Sequence, residues 1–162
     1  MRPYAALGLP ALAIFVVFAL AAPASADDRH EGYYYPKPRQ VEIYEARSRV
    51  LEESDRRRRV GFIVAVVNDM LRRPYPPPLS VFVKGGQAEK LIIVSNVDGR
   101  LNTVYRVRAY LATLTASARA TPIFQEYEVE DWFTFLDLAK MLGFERITIS
   151  DGDAFAHQIL LK

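Results

Sequence analysis

The spacing of apolar residues changes along the chain and predicts three helices. A first helical stripe follows the capping residues Ser54 and Asp55 and consists of Val60, Ile63, Val64, Val67 and Leu71. A second stripe, which ends before Pro122, consists of Val104, Val107, Leu111, Leu114 and Ala118. Glu130 and Asp131 open a third, formed by Trp132, Phe135, Leu136, Ala139 and Leu142, with Gly143 placed to end it.

Shorter β-rich runs lie between and after these helices. Leu79–Lys84 and Lys90–Val94 are joined by a link that contains Gly85 and Gly86, which predicts a hairpin. Ile147 and Ile149 alternate on a further strand, and residues 154–161 can pair back on it after a turn at 151–153. Val41–Leu51 alternates imperfectly and fits either a strand or the lead-in to the first helix.

The order of these elements predicts an α+β fold. Helix, hairpin, two helices and hairpin follow one another, so each strand has a local partner. We therefore expect an antiparallel sheet made from two hairpins, with about three helices packed on one face.

The amino-terminal residues have the pattern of a secretory signal peptide. Arg2 precedes a long apolar stretch from Ala5 to Ala22, and Ala24 and Ala26 form a small-residue cleavage site. An uncleaved anchor is the alternative, since the apolar stretch approaches the length needed to span a bilayer. The pattern favours cleavage near Ala26, which predicts a periplasmic or secreted protein that meets the membrane only during export.

The predicted domain organisation has three parts: a signal peptide at 1–26, an arm or linker at 27–40 and one α+β domain at 41–162. The arm contains Tyr33, Tyr34 and Tyr35 followed by two prolines, which hold it extended. These tyrosines could contact a partner or pack on the domain itself.

Composition and charge exclude several classes of function. The chain has no cysteine, which excludes disulfides, thiolate metal sites and cysteine nucleophiles. It has 21 Lys and Arg against 19 Asp and Glu, and the signal peptide contains only Arg2, so the remaining charges are 20 against 19. This near balance gives no indication of nucleic-acid binding, which needs a clustered positive excess.

Few residues could carry catalysis. His157 follows Asp151 and Asp153 closely, and these three are the candidate catalytic set, with Lys84 and Arg106 as candidate ligand-binding cations. Asp-Gly-Asp is also ordinary turn chemistry, and His157 fits a structural role in a strand. Phosphate-binding, nucleophile-elbow and complete calcium-loop patterns are missing, so we expect no cofactor and no metal.

The densest positive feature is the run Arg56, Arg57, Arg58 and Arg59. It could bind an acidic partner or an anionic surface, or it could be a solvated helix end balanced by neighbouring carboxylates.

Several stretches resemble a family of small exported α-proteobacterial proteins, many of which carry the name molybdopterin-guanine dinucleotide biosynthesis protein A. The stretches are Asp55–Phe62, Arg73–Pro77, Ala88–Val94, Phe133–Lys140 and Ser150–Gln158. The molybdenum-cofactor guanylyltransferase of that name has an amino-terminal glycine-rich nucleotide loop, which this chain lacks. The resemblance therefore implies export and carries no catalytic residue over.

These observations lead to two functional hypotheses. The first is a non-catalytic exported module that binds a protein or another envelope component, with residues 33–35 and 56–59 as candidate contacts. The alternative is a periplasmic small-ligand binder or hydrolase-type enzyme that uses His157 with Asp151 or Asp153.

Overall fold

A computed structural model describes residues 35–38, 40–120, 124, 128–129 and 131–162. The strands are β1 (Gln40–Tyr44), β2 (Leu79–Lys84), β3 (Lys90–Ser95), β4 (Arg146–Ser150) and β5 (Ala156–Leu161). The helices are α1 (Arg56–Leu71), α2 (Val104–Arg119) and α3 (Phe135–Met141). The α+β class predicted from the sequence is confirmed. The predicted signal peptide, together with Tyr33 and Tyr34 of the arm, lies outside the described residues.

The five strands form one mixed sheet in the order β1-β5-β4-β3-β2. Each predicted hairpin is present, because β2 pairs antiparallel with β3 and β4 with β5. The prediction of a purely antiparallel sheet is wrong, since β3 is parallel to β4 and β1 is parallel to β5. The physical reason is the connection from β3 to β4: it runs through α2 and α3 and returns the chain to the end of the sheet where β3 began.

One face of the sheet, here called the helix face, holds the main core. Its strand residues include Leu91, Ile93, Ile147 and Ile149, which pack in one cluster with residues of all three helices. The opposite face, here called the outer face, carries a second buried cluster of Tyr35, Ile92, Val94 and Ala156, with Phe82 packed against it. Leu91 to Val94 are therefore buried on both sides, which places β3 inside the molecule.

The ends of α1 and α2 follow the sequence closely. Asp55 caps α1 by accepting a hydrogen bond from the backbone nitrogen of Arg58 at 2.7 Å, and Thr103 caps α2 through the nitrogen of Arg106 at 3.3 Å. Such a cap satisfies an amide that has no partner within the helix. Within the α1 stripe, Ile63 is buried, whereas Val64 and Leu71 are more than half exposed. The expected stripe therefore describes only part of the buried side of α1.

The predicted start of α3 is wrong by several residues. Thr134 caps this helix, and a reciprocal capping box with Asp137 fixes its first turn at Phe135. Trp132 thus precedes the helix, and its side chain is 68% exposed instead of facing the core. The predicted end is confirmed: Gly143 has φ +81°, and Phe144 N donates to Ala139 O at 3.0 Å, as in a Schellman motif.

The described helices have no segment long and apolar enough to cross a bilayer.

Candidate functional site

His157 lies on the helix face near the start of β5, and only 3% of its surface is exposed. Its Nε2 is 3.0 Å from Oε2 of Glu42 on the neighbouring strand β1. Arg108 of α2 approaches the same carboxylate oxygen at 3.6 Å, so Glu42 lies between a buried ring and an exposed cation. The other ring nitrogen, Nδ1, is buried without a hydrogen-bond partner. The partner of His157 is therefore Glu42, a residue that the sequence reasoning did not select.

Asp151 is occupied by the turn that it opens. Its Oδ1 accepts hydrogen bonds from the backbone nitrogens of Asp153, Ala154 and Phe155 at 2.9–3.1 Å. Gly152 adopts φ +86° within this turn, a conformation that suits glycine. The carboxylate thus stabilises the β4–β5 connection, as expected of an Asp-Gly turn.

A cavity of about 450 Å³ lies beyond the carboxyl ends of the parallel strands β3 and β4. The residues that line it are Asp98, Gly99, Asn102, Asp151, Asp153, Ala154 and Phe155. Arg106 approaches its rim, because its guanidinium donates to the carbonyl of Gly99. Lys84 ends β2 at the opposite end of the sheet, where it pairs in register with Lys90. The candidate cations Lys84 and Arg106 are therefore well separated, and His157 is not part of the cavity lining.

The described part of the chain contains no group of three or more His, Asp or Glu side chains arranged to hold a metal ion.

A second polar centre surrounds Asp137, which is fully buried. Its carboxylate accepts from the backbone nitrogens of Thr134 and Arg47, each at 2.8 Å, and from the hydroxyl of Tyr44 at 3.1 Å. Burial of the Tyr44 phenol raises its pKa above 10.0, and the nearby carboxylate adds to this rise. The contacts with Tyr44 and Arg47 join α3 to the end of β1 and to the segment that follows it, so this centre is structural.

The four candidate arginines divide into two kinds. Arg59 is only 6% exposed, and its guanidinium donates to Gln87 O at 2.8 Å and to Leu142 O at 3.3 Å. It therefore caps the carboxyl end of α3 and is engaged within the domain. Arg56, Arg57 and Arg58 are exposed, and Arg58 pairs with Glu53 at 3.3 Å. Within the described residues, Arg56 and Arg57 form no ion pair.

A shallow, largely open depression of about 570 Å³ lies beside Arg57 and Arg58. We call it the α1 groove, and its lining residues are Glu53, Asp55, Arg57, Arg58, Gly61, Phe62 and Leu142. A Cβ added to Gly61 would meet no atom within 4 Å, so the groove is open above this residue. Phe62 stacks obliquely on Phe144, with ring centroids 6.5 Å apart, which fixes one wall of the groove against the core.

The sequence reasoning found the arginines of this groove but missed its apolar part. Gly61 and Phe62 interrupt the predicted stripe of α1, and Leu142 lies 80 or more residues away in sequence. A glycine inside a helical pattern was the available signal, because glycine weakens a helix and is kept where space beside the backbone is needed.

Comparisons with known proteins leave the site to be interpreted from its own geometry. The chain matches no protein-family model, and neither curated proteins nor solved structures give a significant match.

Proposed function

We propose that this protein is an exported, non-catalytic interaction module whose α1 groove binds a partner segment that combines an acidic with an apolar side chain. The observation that carries the proposal is Arg57: it is exposed, forms no ion pair within the described residues, and borders the apolar surface of Phe62 and Leu142. A groove that offers both features fits one extended or helical segment of another protein.

The exposed arginines in the first turn of α1 favour an acidic partner. Asp55 caps α1 and Glu53 pairs with Arg58, so both carboxylates that line the groove already have hydrogen-bonding partners. Arg56 and Arg57, in the first turn of α1, form no ion pair within the described residues. The helix dipole is itself positive at this end, so these arginines are unfavourable for the helix and attractive to an anion. A bound carboxylate would relieve that repulsion.

The apolar part of the groove supplies a place for a side chain. Phe62 and Leu142 are close to open space above Gly61, and Val64, one turn further along α1, is 51% exposed. An apolar partner residue seated here would remove this surface from water, at roughly 25 cal/mol per Å² of buried apolar area. The charge would then orient the partner and the apolar contact would retain it.

The surroundings of His157 also support a binding role over the enzymatic alternative. A general base needs a reachable nitrogen, but the Nε2 of His157 is bonded to Glu42 and its Nδ1 is buried. Asp151, its proposed partner, accepts three backbone hydrogen bonds within its own turn. The amino-terminal pattern and the resemblance to exported proteins support a location outside the cytoplasm.

Site-specific photocrosslinking tests this proposal in cells that naturally produce the protein. A benzophenone amino acid replaces Val64 beside the groove, and the same amino acid replaces the exposed Tyr105 on α2 as the positional control. We expect one protein to be crosslinked at position 64 and not at 105, through a segment that contains an Asp or Glu close to an apolar residue. We also expect the protein itself, recovered from these cells, to begin at Asp27. Mass spectrometry of the intact protein measures this start.

Three substitutions made together with the position 64 crosslinker separate the groove from general surface charge. Gly61→Leu adds an apolar side chain at a position where an added Cβ meets no atom within 4 Å, and it favours the helix. Arg57→Glu reverses the charge while suiting the helix dipole. Both are expected to reduce crosslinking about tenfold, equivalent to about 1.4 kcal/mol. Arg72→Glu, at the other end of α1, is expected to leave it unchanged. Equal crosslinking in all three variants, or crosslinked segments without acidic residues, would overturn the proposal.

A further inference from the structure

The outer edge of β1 is the second surface that the structure leaves unpartnered among its described residues. β1 is the first strand of the sheet order and pairs only with β5. Its side chains Val41 and Ile43 are 55% and 53% exposed, and both point to the outer face of the sheet. The strand contains neither lysine nor proline, the residues that often protect an exposed edge.

The hydrogen bonds between β1 and β5 reveal which backbone groups of β1 point outward. Lys162 donates to Tyr44 O at 3.0 Å and accepts from Ala46 N at 2.8 Å. In a parallel ladder the residues that face the partner strand alternate, so Glu42 and Tyr44 bond to β5. The amide and carbonyl groups of Val41 and Ile43 must then point away from β5. The same two residues thus present free backbone groups and exposed apolar side chains.

We propose that this edge binds a second copy of the chain, with β1 of the two copies paired antiparallel about a twofold axis at Glu42. Val41 then lies opposite Ile43 of the partner subunit, and the twofold axis generates the same pair again. Both members of each pair have outward backbone groups, so they can exchange their two hydrogen bonds. Their apolar side chains meet on the outer face, where such cross-strand pairs stabilise a sheet.

The electrostatics at the axis are compatible with this pairing. The two Glu42 carboxylates would approach each other on the helix face, and like charges placed opposite one another are unfavourable. Each carboxylate, however, is already 3.0 Å from the Nε2 of His157 and 3.6 Å from the guanidinium of Arg108. An arginine from each copy therefore stands beside the axis and offsets the repulsion. This inference is independent of the α1 groove, which lies on a different element.

Sedimentation velocity over micromolar to millimolar concentrations tests the proposal on the full chain. We expect a monomer–dimer equilibrium that Val41→Lys weakens at least about tenfold, because the dimer would bury two added charges at the edge. Val97→Lys is the matched control, since Val97 is a 47% exposed valine that lies in neither β1 nor the α1 groove. Ile43→Pro removes an outward amide without removing a bond to β5 and is expected to be monomeric.

Hydrogen exchange gives a second readout that does not depend on the variants folding. The amides of Val41 and Ile43 are expected to gain protection as the protein concentration rises, whereas those of Glu42 and Tyr44 are protected throughout. A protein that stays monomeric to millimolar concentration would overturn the inference. So would an equal effect of Val41→Lys and Val97→Lys, or exchange at Val41 and Ile43 that is independent of concentration.

Discussion

The His157 ring is buried on the helix face of the sheet, with one nitrogen bonded to Glu42 and the other without a partner. An ionised carboxylate only accepts hydrogen bonds, so the proton of this contact is on Nε2. A buried polar atom without a partner carries a desolvation cost. The hydrogen bond to Glu42 therefore reduces the desolvation cost of burying the His157 ring.

Removing Glu42 is expected to make both ring nitrogens unpaired. We expect Glu42→Ala to lower the free energy of unfolding by about 1–3 kcal/mol in the wild-type background, the range for leaving a buried polar group unsatisfied. In the His157→Leu background the same change is expected to cost less, because no ring nitrogen is left behind. Urea denaturation of the two single variants and the double variant measures the coupling.

Comparing the single and double variants, as a double-mutant cycle, also corrects for the other effects of Glu42→Ala. Loss of the exposed contact with Arg108 and the lower β-propensity of alanine are common to both backgrounds and cancel. A coupling energy near zero would contradict the assigned role of Glu42 as the partner of the buried ring.

At the scale of elements, Asp137 joins α3 to the chain that follows β1. Helix α3 spans only Phe135–Met141, which is too short to be stable without support. Asp137 completes the capping box with Thr134 and also accepts from Arg47 N and the Tyr44 hydroxyl. Ser48 adds a hydrogen bond from its hydroxyl to Asp137 O at 2.7 Å. The side chain and the backbone of Asp137 thus fix both the start of the helix and the path of residues 44–48.

Asp137→Ala is expected to destabilise the fold by about 2–4 kcal/mol, because it removes a cap and leaves buried donors without an acceptor. The matched control is Asp55→Ala at the exposed cap of α1, where the expected loss is about 1 kcal/mol. Chemical denaturation of both variants gives the comparison. Equal losses would show that the additional contacts of Asp137 with Tyr44 and Arg47 contribute nothing to stability.

The elements that the sequence predicts well are those defined by local patterns. The hairpin Leu79–Lys84 with Lys90–Ser95 was found because two β-rich runs lie close together around glycines. Helix α2 was found because its stripe is regular and its buried Val107 and Ala118 belong to that stripe. For α3, the acidic pair before Trp132 predicts too early a start. The helix begins at Phe135 because Thr134 and Asp137 form its capping box.

The pairing of distant elements could not be obtained in this way. Glu42 and His157 are 115 residues apart, and Arg59 reaches the carbonyl of Leu142 across 83 residues, so no spacing rule connects them. The parallel pairing of β3 and β4 had one signal, the unbroken apolar run from Leu91 to Val94. Such a run is typical of a strand covered on both faces, as in parallel sheets, whereas a one-sided antiparallel sheet alternates.

At the scale of the whole molecule, the middle of the sheet is covered on both faces, although the described helices pack on only one. On the outer face Tyr35 is 5% exposed and packs with Ile92, Val94 and Ala156. The described part of the arm, residues 35–38, is thus attached to the middle of the sheet before the chain enters β1 at its edge. This contact bears on the two uses expected for the arm tyrosines, since Tyr35 packs on its own domain.

Replacing Tyr35 tests whether the outer cluster contributes to the stability of the whole fold. We expect Tyr35→Ala to lower the free energy of unfolding by about 2–4 kcal/mol, because it opens a cavity over the buried Ile92 and Val94. Tyr75→Ala is the matched control, since that side chain is 79% exposed and its loss is expected to cost within about 0.5 kcal/mol. Thermal and urea unfolding measure both. If the two variants lose the same small amount, the arm is a peripheral attachment and the helix face alone determines stability; a large loss for Tyr35→Ala in a single cooperative transition makes residue 35 part of the folded unit.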